Sequence, residues 1–223
     1  MSESSARDPA PPPAAERVSG DYTEASYLQF TAGPTTRFAM AVIGILLWPI
    51  ALPLALLSRL SDILFRTFSE MLAWVPYFPG VILRYEFYRF ALRHCGRNVV
   101  VETGAIFIYR DVSVGEDVLI GRYSIVHHCD IGDHTLIGER CTFLSGSRQH
   151  RFARTDVPMT RQGGEKRRIT LGGDCWIGSH AVVMNDVGRG AIVAAGAVVK
   201  DPVAPFVIVG GVPAKEISQR TAR

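Results

Sequence analysis

A six-residue spacing constrains this 223-residue chain more than any other feature. An aliphatic residue followed by glycine recurs at Val114-Gly115, Ile120-Gly121, Ile131-Gly132, Ile137-Gly138, Leu171-Gly172, Ile177-Gly178 and Val187-Gly188. With Val126, Phe143, Val183, Val193 and Val199 as rungs that lack the glycine, most steps are six residues. A repeat that short cannot contain a helix, because 3.6 residues per turn would scatter these side chains around the axis. It suits a coil of three short strands. Two positions before most rungs stands a small or β-branched residue: Val118, Ser124, Thr135, Cys141, Ala181, Ala191 and Ala197. One large and one small inward side chain per corner fills a narrow triangular prism, with glycine expected where the chain turns. The shorter steps from Val126 to Ile131 and from Val183 to Val187 read as deletions at corners. An antiparallel fold with glycine turns would show period-two alternation, which is missing.

On these residues the chain resembles the hexapeptide-repeat acyltransferases, over roughly 99–220. The resemblance implies a mainly β chain built on a left-handed parallel β-helix, with acetyl-CoA as cosubstrate. It also implies three copies packed side by side, each active site lying between two subunits. The left hand comes from the resemblance alone, since the general crossover rule favours the right.

The ladder is interrupted once. After Phe143-Leu144-Ser145-Gly146 the repeat is suspended until Ile169, leaving a loop at 146–168. A long loop leaving a tightly wound solenoid usually carries function. His150 is the only histidine in it. In the resembled enzymes a loop at this place reaches over a neighbouring subunit and delivers the catalytic histidine about two dozen residues before a tryptophan, here Trp176. Imidazole suits this chemistry because it accepts the alcohol's proton as oxygen attacks the thioester and returns a proton to the CoA thiolate. No acyl-enzyme is then required.

The resemblance extends to Asp174-Cys175-Trp176-Ile177-Gly178-Ser179, which implies Trp176 beside the active site and Ser179 near the pantetheine arm. In Ala194-Ala195-Gly196-Ala197-Val198-Val199-Lys200 it implies a flat CoA surface at Ala195 and Gly196, with Lys200 meeting a phosphate. Read without the resemblance, Ala194 to Val199 is β-helix core. The asparagine that some relatives place on an earlier coil has no counterpart, because Tyr123 and Ser124 occupy that neighbourhood.

A zinc reading competes on Gly121 to Cys129, which resembles a segment of the γ-class carbonic anhydrases. Where that family has its first histidine this chain has Arg122, a permanent cation that cannot ligate zinc. No metal is expected, and His127, His128 and His134 read as surface or interface residues.

Outside the ladder, residues 1–36 are rich in proline, serine and alanine and are expected to form a disordered tail without the pattern of a signal peptide. Residues 37–97 form a helical, membrane-associating segment. Phe38 to Leu57 is uncharged and long enough to cross a bilayer, yet Pro49 and Pro53 interrupt it. It reads as a kinked span, a re-entrant hairpin, or a helical pair packed on the soluble domain. Leu60, Ile63, Leu64, Phe68, Met71 and Leu72 then form an apolar helical stripe. Arg84, Arg89 and Arg93 alternate with aromatic residues, which suits a helix lying at a cytoplasmic membrane surface or one capping the ladder. The β-helix domain is placed at 98–215 and a C-terminal tail at 216–223. Four cysteines without a CxxC pair read as reduced thiols, with Cys141 facing inward, and a net charge of +3 does not point to nucleic acid.

Together these readings give an acetyl-CoA-dependent O-acetyltransferase acting on a sugar hydroxyl of a glycan or lipid-linked saccharide. It would work as a homotrimer at the cytoplasmic face of the inner membrane. The alternatives are an amino sugar or xenobiotic acceptor, a non-catalytic β-helix scaffold, or a carbonic-anhydrase-like protein.

Overall fold

The computed structural model describes residues 33–220, so the first 32 residues of the expected tail lie outside the described chain. Its last residues do not: helix α1 already runs from Gly33 to Ser58. Helices α2 (Asp62–Ala73) and α3 (Tyr77–Ala91) follow. From there the chain winds as a parallel β-helix. The first coil holds β1 (His94–Cys95), β2 (Val100–Val101) and β3 (Ile106–Phe107). The second holds β4 (Ser113–Val114), β5 (Leu119–Ile120) and β6 (Ile125–Val126), and the third β7 (Cys129–Ile131), β8 (Leu136–Ile137) and β9 (Thr142–Phe143). After the loop come β10 (Ile169–Leu171), β11 (Trp176–Ile177) and β12 (Val182–Val183), then β13 (Ile192–Val193) and β14 (Val198–Val199). The last coil contributes β15 (Val207–Gly210), on which β16 (Lys215–Gln219) lies antiparallel.

Strands one coil apart pair in parallel and make three faces. The first face is β1-β4-β7-β10, continued by bridges at Val187 and Val203. The second is β2-β5-β8-β11-β13-β15 with β16 on its edge, and the third is β3-β6-β9-β12-β14. Both members of each inward pair are buried: Val118 with Ile120, Ser124 with Val126, Thr135 with Ile137, Cys141 with Phe143, Ala181 with Val183, Ala191 with Val193, and Ala197 with Val199. The ladder begins at His94, four residues before the expected start.

The glycines after the rungs serve a purpose other than the one expected. Gly121 does not adopt a positive φ; a Cβ there would stand 2.5 Å from the carbonyl carbon and oxygen of Gly138 on the next coil. Close stacking of coils, about one strand spacing apart, demands the missing side chain. The left-handed corner positions fall to other glycines, among them Gly104, Gly190 and Gly196, and to Asn98, Asp117, Tyr123, His134, Arg140, Asp174, His180 and Phe206. After glycine, Asn and Asp tolerate that conformation best.

Helix α3 packs against both other helices and against the first coil of the ladder. Of the two readings of its arginines, a membrane-surface helix or a cap on the ladder, Arg84 follows the second: it is fully buried against the first coil. Its Nε donates to the Val101 carbonyl at 2.8 Å, and Nη1 donates to the carbonyls of Leu72 at 2.9 Å and Val75 at 2.7 Å. One guanidinium thereby ties the C-terminal end of α2 to the first coil. Burial pulls its pKa down to about 10, so it stays charged at neutral pH. Around it Phe65, Phe87, Tyr88 and Phe107 form an aromatic column, with centroid distances of 6.1, 5.2 and 4.8 Å along the chain of contacts. Buried Ser69 links the Tyr88 hydroxyl, 2.7 Å away, to the Phe107 carbonyl at 3.1 Å.

Helix α2 is apolar on two sides, and the expected stripe mixes them. Phe65, Ser69, Leu72 and Ala73 pack inward, while Leu60, Ile63 and Met71 are 75%, 78% and 60% exposed. Helix α1 behaves likewise. It does not fold back at its prolines, because Pro49 and Pro53 are four residues apart on one exposed side and the helix continues past both. Only Gly44, Ala51, Ala55 and Ser58 are buried among its residues of described burial. Its polar anchor is Trp48, whose Nε1 donates to Glu86 of α3 at 2.7 Å. Phe38 to Ser58 is long and apolar enough to cross a membrane.

At the other end, residues 216–219 are not a tail. The outer edge of β15 offers unpaired backbone groups, and β16 satisfies them across the second face.

Candidate active site

The loop leaves the ladder after β9, at the corner between the third and first faces. Ser145 is buried there, and its carbonyl accepts from Arg167 N at 2.9 Å, so departure and return are joined at the foot. Gly146 turns the chain outward with a φ of 81°. The two arms then pair: Glu165 N donates to the Arg148 carbonyl at 3.0 Å, and Arg151 N to the Gly163 carbonyl at 2.9 Å. Between those bonds lies His150, exposed. The tip closes through Gln162, whose Nε2 donates to the carbonyls of Arg154 and Val157 at 2.7 and 2.8 Å, beside a 3₁₀ turn at Met159–Arg161. The loop is therefore braced along its length.

Its foot is also fixed to the ladder. Arg167 donates to Asn185 Oδ1 at 2.6 Å and pairs with Asp186, while Asn185 Nδ2 donates to the Lys200 carbonyl at 3.0 Å. Arg168 and Arg93 both grip Asp111 and Asp130. Burial alone would raise the Asp130 carboxyl, but the Ser113 N–H and these two guanidiniums outweigh it and hold its pKa below the usual value.

The residues expected at the site fall into two groups. Lys200 follows β14 at the loop's own corner, with its ammonium 3.7 Å from Asp201. Trp176 stands 53% exposed on the second face, and Ser179, Ala195 and Gly196 follow at the next corner. There Gly196 N donates to the Ser179 carbonyl at 2.9 Å, and Ala195 and Gly196 form an open shelf. A Cβ on Gly196 would meet nothing within 4 Å. Within one chain the third face separates this shelf from the corner that carries His150.

A cluster at the foot of the loop escaped the sequence reading. Tyr109 stacks on His128 with centroids 3.9 Å apart and planes 7° from parallel, and it meets His127 edge-on at 6.0 Å. Lys166 reaches back from the loop to donate to the Tyr109 hydroxyl at 2.7 Å. Burial, His128, Lys166 and Arg66 push the His127 pKa down; burial and Arg168 lower that of His128. Both imidazoles are thus favoured in the neutral form. The signal was available in the ladder's register: Ile106 pairs with Ile125 and Phe107 with Val126, and two further steps set Tyr109 beside His128.

Arg122, which displaces the zinc histidine, pairs loosely with Glu102 at 3.8 Å. The one His/Cys/Asp/Glu group close enough to hold an ion among the described residues is Glu116, Asp117 and His134, at a different corner.

Residues 168–200 match the family model described as the hexapeptide repeat of succinyl-transferase. The chain is 48% identical over 106 residues to a chloramphenicol acetyltransferase of Agrobacterium fabrum, covering 40% of this chain and 51% of that protein. It is 31% identical over 136 residues to the galactoside O-acetyltransferase of Escherichia coli, with 56% and 62% covered. A probable macrolide acetyltransferase of Lysinibacillus sphaericus is 32% identical over 120 residues, with 44% and 67% covered. Among solved structures, a galactoside acetyltransferase in complex with coenzyme A matches with a TM-score of 0.61 at 23% identity, covering 72% of this chain and 82% of that one, a likeness of fold. The chain spans about half the length of the curated relatives it matches.

Proposed function

The chain belongs to the hexapeptide-repeat acyltransferase family, and from that premise we propose that it transfers an acetyl group from acetyl-CoA to a sugar hydroxyl, with His150 as general base. The acceptor oxygen attacks the thioester carbonyl, a C–O bond forms and the C–S bond breaks. The hydroxyl proton passes to the His150 imidazole and from there to the CoA sulfur, so no covalent enzyme intermediate is needed. The observation that carries this reading is the braced loop, which holds one exposed histidine at a fixed height above its corner. Such bracing is what positioning of a catalytic group requires.

The split of the site residues supports a homotrimer. His150 of one copy would meet the Trp176, Ser179, Ala195 and Gly196 surface of its neighbour, and the pantetheine arm would lie along that shelf. Lys200 or a neighbouring cation would take a CoA phosphate.

Three exposed apolar stretches support a membrane-bound acceptor: the outer side of α1, Leu60 with Ile63, and Met71 with Trp74. An uncovered apolar surface of this extent marks a docking site, and a glycan or lipid-linked saccharide at the cytoplasmic face of a membrane accounts for it. The names of the relatives favour a second acceptor class, an antibiotic hydroxyl.

Thermal unfolding of the detergent-purified chain with acetyl-CoA tests the donor. Ligand at about 100 times its dissociation constant adds about 2.7 kcal/mol and shifts the midpoint upward. An unmoved midpoint at millimolar ligand would remove the donor. Thiol release with galactosides, lipid-linked saccharides, chloramphenicol and macrolides then decides the acceptor.

A further inference from the structure

We propose that a cavity at the C-terminal end of α1 is a binding site for the phosphate of an anionic membrane lipid. This rests on the membrane docking proposed above and names the chemistry that the surface recognises.

The cavity measures about 510 Å³ and is lined by Arg59, Ala91, Leu92, Arg93, Arg110 and Asp111. Three cations face it against one carboxylate. Asp111 is already engaged by Arg93 and Arg168, and Arg93 is also held by Asp130 at 2.7 Å. Arg59 and Arg110 differ from these. Arg59 donates from Nη2 to the Phe90 carbonyl at 2.8 Å and, among the described residues, has no carboxylate within ion-pair distance. Arg110 donates from Nη1 to the Arg59 carbonyl at 3.0 Å; its carboxylate neighbour Asp62 is 3.5 Å away and 75% exposed. These bonds fix two guanidiniums at the rim while leaving most of their N–H groups free. Guanidinium forks of this kind match the oxygens of a phosphate.

The surroundings select the source of that phosphate. Leu56 and Leu57 lie one buried serine before Arg59 on the chain's approach to the cavity, Leu60 follows it, and Ile63 follows Asp62; these four side chains are 46–78% exposed. A free phosphate would satisfy the arginines and leave those side chains in water. A neutral lipid would cover them and leave the arginines unmatched. An anionic phospholipid meets both at once, with acyl chains beside the leucines and its phosphate in the cavity.

The test is co-flotation of the full chain with vesicles of phosphatidylcholine alone or with about a third phosphatidylglycerol, a charge density at which each bound basic residue strengthens binding roughly fivefold. The expected result is a clear preference of the wild-type chain for the anionic vesicles. The double variant Arg59→Gln/Arg110→Gln should lose roughly twentyfold in binding to them and fall to the phosphatidylcholine level. Arg97→Gln removes an exposed charge from outside the cavity and should keep the preference; circular dichroism of each variant verifies that it is folded. If Arg97→Gln loses as much as the double variant, charge acts diffusely and the site is overturned. Equal binding of wild type to both vesicles overturns it too, while leaving membrane docking in place. Binding to neither would remove the docking itself. Inorganic phosphate at constant ionic strength should not compete; if it abolishes the preference, the cavity belongs to a soluble phosphate.

Discussion

The carbonyl oxygen of Gln149 lies 1.6 Å from where a Cβ on Gly164 would stand. The two arms of the loop therefore touch backbone to backbone directly beside His150, and only glycine permits the approach. Gly164→Ala must part the arms. We expect turnover to fall about a hundredfold, since a displacement near 1 Å of a catalytic group has that effect. The ladder is not involved, so the unfolding midpoint should move little, and steady-state rates beside a thermal melt measure both. Full activity in Gly164→Ala would show that the loop's registration does not matter.

His150→Ala should lower turnover by about 10²- to 10⁴-fold without affecting stability, because the side chain is exposed. Mixing His150→Ala chains with Trp176→Ala chains provides a sharper measurement. When the two are unfolded and refolded together, part of the activity should return if sites lie between copies. Each variant alone, and the two mixed without refolding, serve as baselines; no recovery would place each site within one chain.

Arg84→Met should destabilise the chain by about 3 kcal/mol or more, because the carbonyls of Leu72, Val75 and Val101 lose their donor in a buried setting. Arg84→Lys should rescue only part, since a single ammonium cannot span three acceptors in the plane of a guanidinium. Chemical unfolding at neutral pH provides the comparison. A loss below about 1 kcal/mol in Arg84→Met would mean that water replaces the guanidinium.

The neutral pair His127 and His128 makes stability depend on pH. Both have lower pKa values in the folded chain than the ordinary 6.5, so the unfolded chain binds more protons as the solution is acidified. Stability is then fully present above about pH 6.5 and declines as pH falls from there through the folded values. Replacing both by Gln should flatten the unfolding midpoint between about pH 7 and 5. Asp130, also depressed, acts with the same sign at lower pH and remains in the double variant. An unchanged slope in that variant would assign the acid sensitivity elsewhere.

Much of the ladder was legible because its information is local and repeated. Each inward pair, such as Cys141 with Phe143, is set by alternation along one strand, and its partners recur one coil away. His150 stood out for the same reason, as a histidine in the one long interruption. Locality also misled: the glycines were assigned to turns, whereas Gly121 is required by Gly138, seventeen positions later, on the next coil.

What the sequence alone determined, then, was a three-faced solenoid with one long interruption and the one histidine within it. Tertiary structure decided the rest, because those features depend on which surfaces meet. Arg84 looked like a surface cation until three carbonyls from α2, its following turn and the first coil surrounded it. Helix α2 carries apolar residues on two sides, and only the aromatic column at Phe65 and Phe87 selects the inner one. Among the described residues the outer side of α2 and the exposed length of α1 meet no further protein surface, so the hydrophobic effect cannot bury them there.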